Sequence, residues 1–407
     1  MLDLKQIRRD PDPVREALAR RRDGSEERLE RVLELDERTR ALRPEVENLR
    51  ASQNEASKAI GAAKQAGRDA AEEIAAMQDV AQRVKALGQE LADADAELTA
   101  ALATLPNPPD PTAADADTVL REVGERGAAG PDHLEIAGPL INTEAGARVS
   151  GSRFVYLMGD LVLLEFALVR WGMSVLAGYG FTPVIPPVLV REDALYGTGF
   201  LPDTEQQIYT LPDDELYLVG TSEVPLASLH AGEILDEGTL PLRYAGFSSC
   251  FRREAGAAGR DTRGIFRVHQ FDKLEMFCFV EADQSGSEHE RLLAIEEELL
   301  QALDIPYRVV NIAVDDLGSS AAKKYDLEAW MPGRDGYGEV TSTSNTTDFQ
   351  ARRLNIRYRP GPQHVHTLNG TAVTWQHMIA LLENHGRAVP EVLQQWGAPP
   401  ELRVEQP

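Results

Sequence analysis

From Ser25 to Leu105 the chain carries no aromatic residue, and its apolar positions recur every seven. Leu35, Leu42, Leu49 and Ala56 form one seam, with Val32, Thr39, Val46 and Ile60 on the neighbouring one. After a break at Ala66-Gly67-Arg68 a second register begins: Met77, Val84, Leu91, Leu98 and Leu105, flanked by Val80, Leu87, Ala94 and Ala101. Heptads of this kind make helices that need a partner helix along one stripe. Two such helices joined at Gly67 predict an antiparallel coiled-coil hairpin, a rod of roughly 50 Å at about 1.5 Å per residue. Pro44 lies inside the first helix, where it removes a hydrogen bond and predicts a kink.

The hairpin ends at Leu105-Pro106-Asn107-Pro108-Pro109, and a linker rich in proline and aspartate follows to about Thr118. A chain of 407 residues, 43% hydrophobic, has enough apolar mass for two or three domains. Beyond the linker the pattern is mixed. A helix is predicted over 155–178, strands over Thr182–Val190, Leu216–Val219, Glu275–Val280 and Tyr307–Val314, a helix over 285–303, and a last helix from Trp375 to His385. No glycine-rich loop opens a helix, so a dinucleotide-binding or P-loop fold is excluded. The expectation is an α+β fold: an antiparallel sheet flanked by helices, with the coiled-coil arm in front.

The formal net charge of −24 argues against broad binding to nucleic acid, although arginines cluster at Arg20 to Arg22 and between Arg252 and Arg267. Two cysteines, Cys250 and Cys278, cannot build a disulfide framework or a zinc knuckle, which fits a reducing cytoplasm. The N-terminus MLDLKQIRRD has no signal-peptide core. The apolar run Leu161 to Leu168 is interrupted by Glu165 and followed by Arg170, and reads as a buried helix and not a membrane span.

Four clusters bear on chemistry. Gly180 to Pro187 runs into a proline-stiffened strand and reads as packing. Phe251 to Met276 places arginine forks and aromatic residues on two charged segments around a loop of small residues; such forks suit phosphate or carboxylate. Otherwise the segment is a solvated charged hairpin. Tyr337 to Arg353 carries Glu339 beside a run of hydroxyls, either a serine- and threonine-rich hairpin edge or a magnesium site completed by phosphate oxygens. His366 to Thr371 contains Asn369-Gly370, a common turn pair, or else lines a pocket.

Together these clusters resemble the signature motifs of class II aminoacyl-tRNA synthetases in the seryl form. The string FRREAGAAGRDTRGIFRVHQFDKLEMF is similar to the family's second motif over its whole length. SGSRF at 150–154, YGTGFLP at 196–202, TSEVPL at 221–226, DLGSSAAKKYDLEAWMPG at 316–333 and SNTTDFQARRLNIRYR at 344–359 match in order. The resemblance implies a tRNA-binding helical hairpin over 1–110 and a catalytic core over 111–407. It implies an ATP-dependent serine–tRNA ligase that activates L-serine to seryl-adenylate and passes it to serine tRNA. Thr221, Glu223, Glu275, Asn369 and Thr371 fall where the family holds serine, and Arg252 where it grips the α-phosphate and the serine carboxylate. Arg253, Glu254, Arg267, Phe271, Glu339, Val340, Thr341 and Ser342 fall in the ATP site. Within it Glu254 meets the adenine amino group, Phe271 stacks on the ring, Arg267 holds the γ-phosphate, and Glu339 and Ser342 ligate Mg2+. Arg252, Glu254, Arg267 and Glu339 are the expected catalytic set. The arm, through Arg50, Asn54, Ser57 and Lys58, would lie on a serine tRNA bound by the partner subunit of a homodimer.

The chain departs from the pattern at two positions. The family's arginine just inside the last helix is Gln376 here, and the arginine before the magnesium-binding glutamate is Gly338. Two lost contacts to charged groups are worth roughly 3–6 kcal/mol, or about 10²- to 10⁴-fold in rate. Arg334, Arg267, Trp375 and His377 stand near enough in sequence to compensate. Pro44 and Ser52-Gln53 depart in the arm. These changes keep two other readings open: a chain that binds tRNA or a partner without aminoacylation, and an enzyme that adenylates serine for a different acceptor. The retained Arg252, Glu254, Arg267, Glu275 and Glu339 favour the ligase.

Overall fold

The computed structural model describes residues 1–202, 207–255, 263–361 and 363–404. The chain divides into two compact units, Leu2–Pro106 and Asn107–Pro407, the second joined by Met1.

The first unit is built on helices α1 (Ser25–Gln65) and α2 (Ala71–Ala103), packed along their length. The heptad seams are the buried stripe: Val32, Leu35, Thr39 and Val46 of α1 and Ala94 and Leu98 of α2 are closed to solvent. At the tip Ile60, Ala63 and Ala70 make a small cluster with Ile74 and Met77. Gly67 adopts φ +67°, the left-handed conformation the reversal needs. Helix α1 runs continuously through Pro44. Arg31–Glu97, Arg38–Glu90 and Arg43–Asp95 ion pairs bridge the two helices on their exposed faces.

The second unit is organised on an eight-stranded sheet. Its strands are β1 (Thr118–Val123), β2 (Thr182–Val184), β3 (Leu242–Phe251), β4 (Gln270–Val280), β5 (Tyr307–Asn311), β6 (Lys323–Met331), β7 (Gly336–Asn345) and β8 (His366–Thr374). They lie in the order β1-β5-β6-β7-β8-β4-β3-β2. Every neighbouring pair is antiparallel except β2 with β3. Alternation along β4 divides two apolar cores. Leu274, Met276, Cys278 and Val280 join a cluster with helices α3 (Asp160–Gly178), α4 (Ser285–Ala302) and α5 (Trp375–His385). Phe277 and Phe279 join a second cluster with Leu226, Ile356 and Val365.

Helix α3 has the length and hydropathy of a membrane span, but Leu161, Leu164, Leu168, Trp171 and Leu176 are buried in the core. It begins at Asp160, later than predicted, because Tyr156–Leu157 pairs with Ile141–Asn142 as a short strand. The predicted strand Thr182–Val190 is two strands in different sheets, Thr182–Val184 and Leu189–Val190. Pro186 and Pro187 lie in the gap and cannot donate to a ladder. Asn369-Gly370 is not a turn: it sits in the middle of β8, paired with β4 and β7. Nor is Tyr337 to Asn345 an edge, since β7 is flanked by β6 and β8.

Candidate active site

A polar cavity of about 140 Å³ opens on the face of β3, β4, β7 and β8. Arg252, Glu254, Phe266, Arg267, Phe271, Lys273, Glu339, Val340, Ser342, Thr371, Thr374 and Gln376 line it. Strand periodicity alone cannot assemble this set. Glu339 and Ser342 are three residues apart, as are Thr371 and Thr374, so a regular strand would point each pair to opposite faces. Two bulges correct this. Across β6, Leu327 pairs with Thr341 and Glu328 with Glu339, leaving Val340 as an extra residue. Across β4, Leu274 pairs with Val373 and Glu275 with Thr371, leaving Ala372 as an extra residue. Each bulge turns both members of its pair into the cavity.

At one end of the cavity Arg252 and Arg267 supply positive charge. The Arg252 Nε donates to the Gly220 carbonyl at 3.2 Å, and its guanidinium lies 5.2 Å over the Phe271 ring. Glu254 sits at φ +51°, an uncommon conformation for a residue with a side chain, and its carboxylate meets Arg267 at 3.3 Å. Lys273, which lines the cavity, makes a buried ion pair with Glu275, Nζ to Oε2 at 2.5 Å; Glu275, Glu223, Thr221 and Asn369 themselves are not among the lining residues. Glu223, on the short helix Glu223–Ala227, accepts from the Gln350 amide at 2.7 Å. Its carboxyl is pushed up to about 7, by burial first and then by Glu275, while hydrogen bonds from Gln350 and Asn369 partly offset the rise. Thr221 is buried beside it, and its hydroxyl accepts the Glu223 N–H at 3.2 Å.

Not every expected residue faces the cavity. Thr341 points the other way, and its hydroxyl donates to the fully buried Glu296 at 3.1 Å. Burial holds the Glu296 carboxyl well above the ordinary range. The Arg253 side chain is exposed, and its N–H donates to the Gln207 carbonyl at 2.9 Å. Residues 256–262 of the loop in this segment lie outside the described residues. Phe271 does line the cavity; it is largely buried, with the Arg252 guanidinium 5.2 Å over its ring. Of the neighbours expected to compensate for the missing arginines, two are committed elsewhere. The Trp375 Nε1 donates to buried Glu165 at 2.6 Å. His377 closes the N-terminus of α5, its Nδ1 accepting the Thr374 N–H at 3.1 Å. Burial lowers the His377 pKa to about 4, which keeps that nitrogen an acceptor.

Sequence reasoning assigned no pocket role to Phe266, Val268, Lys273, Thr374 or Gln350. Phe266, Val268, Lys273 and Gln350 lie inside matched strings, so their positions are visible in the sequence; their contacts are not.

The Mg2+ expectation has a testable fit. Glu339 and Ser342 offer hard oxygen donors at the cavity wall. Opposite Ser342 on β6, the Asp326 carboxyl is pushed up to about 7 by burial and then by the nearby Glu339 charge, even with Lys324 Nζ 3.0 Å away. Such crowding of negative charge suits a divalent cation. Among the described residues no three His, Cys, Asp or Glu form a metal cage by themselves.

The largely antiparallel sheet, with Arg252, Glu254, Arg267 and Glu339 around one cavity, fits a class II aminoacyl-tRNA synthetase core, and the comparisons identify it as one. Residues 209–385 match the tRNA synthetase class II core domain (G, H, P, S and T), and residues 1–109 match the seryl-tRNA synthetase N-terminal domain. A serine–tRNA ligase of Thermobifida fusca is 48% identical, over 97% of this chain and 96% of the relative. The crystal structure of seryl-tRNA synthetase from Pyrococcus horikoshii complexed with ATP superposes with a TM-score of 0.91, at 39% identity and full coverage of both chains. That of the cytoplasmic serine–tRNA ligase of Naegleria fowleri in complex with AMP gives 0.85 at 32% identity, covering 98% of this chain and 96% of that one. The chain belongs to the seryl-tRNA synthetase family.

Proposed function

We propose that this chain is an ATP-dependent serine–tRNA ligase. The observation that carries this reading is one cavity lined by Arg252, Glu254, Arg267, Glu339 and Ser342, whose Lys273 is ion-paired to the buried Glu275. The serine carboxylate oxygen attacks the α-phosphorus of ATP, the bond to the bridging oxygen breaks, and pyrophosphate leaves. A tRNA 3′-terminal hydroxyl then attacks the acyl carbon and AMP leaves. Arg252 steadies the α-phosphate and the serine carboxylate, Arg267 the γ-phosphate, and Glu254 the adenine amino group. Thr221, Glu223 and Glu275 receive the serine ammonium and hydroxyl, and Asn369 and Thr371 close on the side chain. A buried polar pocket of this kind rejects alanine, which leaves those groups unpaired. Glu339 and Ser342 would hold Mg2+, which supplies charge neutralisation for the phosphates when bound.

The arm, residues 1–110, is read as the tRNA-binding domain, and residues 111–407 as the catalytic domain. Arg50, Asn54, Ser57 and Lys58 are exposed on α1, which suits contact with an RNA backbone. Exposed Leu163, Phe166 and Ile185 on the core support a homodimer. Two free, buried cysteines suit the cytoplasm. Retention of Arg252, Glu254, Arg267, Glu275 and Glu339 favours catalysis over a non-catalytic chain. The test is serine-dependent exchange of labelled pyrophosphate into ATP, followed by charging of serine tRNA. Both are expected. Absence of exchange overturns the reading, and exchange without charging redirects it to another acceptor.

A further inference from the structure

The two departures, Gly338 and Gln376, meet at one residue, Phe266. Its ring lines the cavity. The Gln376 amide donates to the Phe266 carbonyl at 3.0 Å, fixing the backbone that carries the ring. On that ring lies the guanidinium of Arg334, its carbon 4.4 Å from the ring centre. Arg334 ends the turn Pro332–Arg334 that joins β6 to β7. Gly338 makes the arrangement possible. A Cβ there would come within 3.0 Å of Arg334 Nη1 and 3.1 Å of Phe266 Cε2.

Both supports of this stack are tied to one carboxylate. The Ile265 N–H donates to His133 Nε2 at 3.1 Å, and His133 Nδ1 meets Glu383 Oε1 at 2.8 Å. The Gly333 N–H donates to Glu383 Oε2 at 2.9 Å. The residue before Phe266 and the residue before Arg334 are thus clamped through Glu383. Gly333 is packed so closely that a Cβ would lie 2.6 Å from Asp132 Cα, which keeps the turn in place.

We propose that Arg334 is a polyphosphate-binding residue of the ATP site, its guanidinium delivered by the β6–β7 turn across the gap that Gly338 leaves. The inference rests on the ligase reading above. Stacking engages the face of a guanidinium, and its in-plane N–H donors are the ones suited to phosphate oxygens. Arg334 is solvent-exposed, as is Glu339, and although it is not itself a lining residue its guanidinium lies on Phe266, which is one. A cation there adds to Arg267, which lines the same cavity.

The experiment is steady-state pyrophosphate exchange together with calorimetric titration of a non-hydrolysable ATP analogue. The proteins compared are wild type, Arg334→Ala, Arg334→Gln, Gly338→Arg and the double variant Arg334→Ala with Gly338→Arg. Loss of one charge-assisted phosphate contact should raise the KM for ATP and weaken the analogue roughly 10- to 100-fold. The KM for serine should stay within about two-fold, since a phosphate contact is local to ATP. Gly338→Arg on the Arg334→Ala background should recover most of the loss, because the new guanidinium enters the vacated space. Analogue affinity unchanged in both single Arg334 variants overturns the proposal. So does a parallel rise in the KM for serine, which would mean general damage to the site. If wild type fails to exchange pyrophosphate, the ligase reading falls, while the analogue titration still decides the role of Arg334.

Discussion

Replacing Glu223 with glutamine removes a titrating group from the proposed serine site while keeping its shape. Gln350 Nε2 can still donate to the oxygen it now meets at 2.7 Å. Burial, and then the charge of Glu275, raise the Glu223 pKa from 4.5 to about 7. The folded protein therefore holds this proton more tightly than the unfolded chain. Stability contributed by the neutral form is complete below the unfolded value and is lost as pH rises through the folded one. The full loss is about 3 kcal/mol, of which about 1 kcal/mol develops between roughly pH 6 and pH 8. Glutamine cannot ionise, so Glu223→Gln should lack that part of the slope. Asp326 and Glu165, also raised to about 7, titrate in both proteins and cancel in the comparison. Thermal midpoints taken across this range should separate in the variant's favour by about 2 °C as pH rises. Midpoint curves that stay parallel would refute the assignment of a raised pKa to Glu223.

His133→Ala leaves the Ile265 N–H without its acceptor and removes one of the partners of the Glu383 carboxylate, so it should destabilise the protein by about 2–3 kcal/mol in denaturant titrations. Glu339→Gln should slow pyrophosphate exchange by about 10²-fold and shift the magnesium dependence to higher concentration, with Ser342→Ala having a smaller effect. In the arm, Leu35→Ala should cost about 2–3 kcal/mol because its side chain is buried on the seam, whereas Arg38→Ala should stay within about 0.5 kcal/mol because its pair with Glu90 is exposed. Helical circular dichroism followed through unfolding would separate the two.

Much of the site was legible because its residues sit in strings whose order carries the family resemblance. Arg252, Glu254, Arg267, Glu339, Ser342 and Thr371 all line the cavity. Thr341 was misread for a physical reason: residues adjacent on a strand face opposite ways, and only the bulge at Val340 decides which of its neighbours look inward. Asn369-Gly370 was open to a turn reading because both residues favour turns locally. In the fold Gly370 is crowded by Glu296, Met276 and Thr343, with the Glu296 oxygen 2.9 Å from where a Cβ would lie, so glycine serves close packing inside a sheet.

The sequence by itself determined the coiled-coil arm and its reversal at Gly67, since heptad periodicity and a left-handed glycine act over neighbouring residues. It determined the helix Trp375 to His385 for the same reason. Only the tertiary structure decided that Arg334 lies on Phe266 over Gly338, and that Glu383 clamps the segments carrying both. Those contacts join residues far apart in the chain, and no local periodicity or propensity encodes a distance that exists only once the sheet has closed.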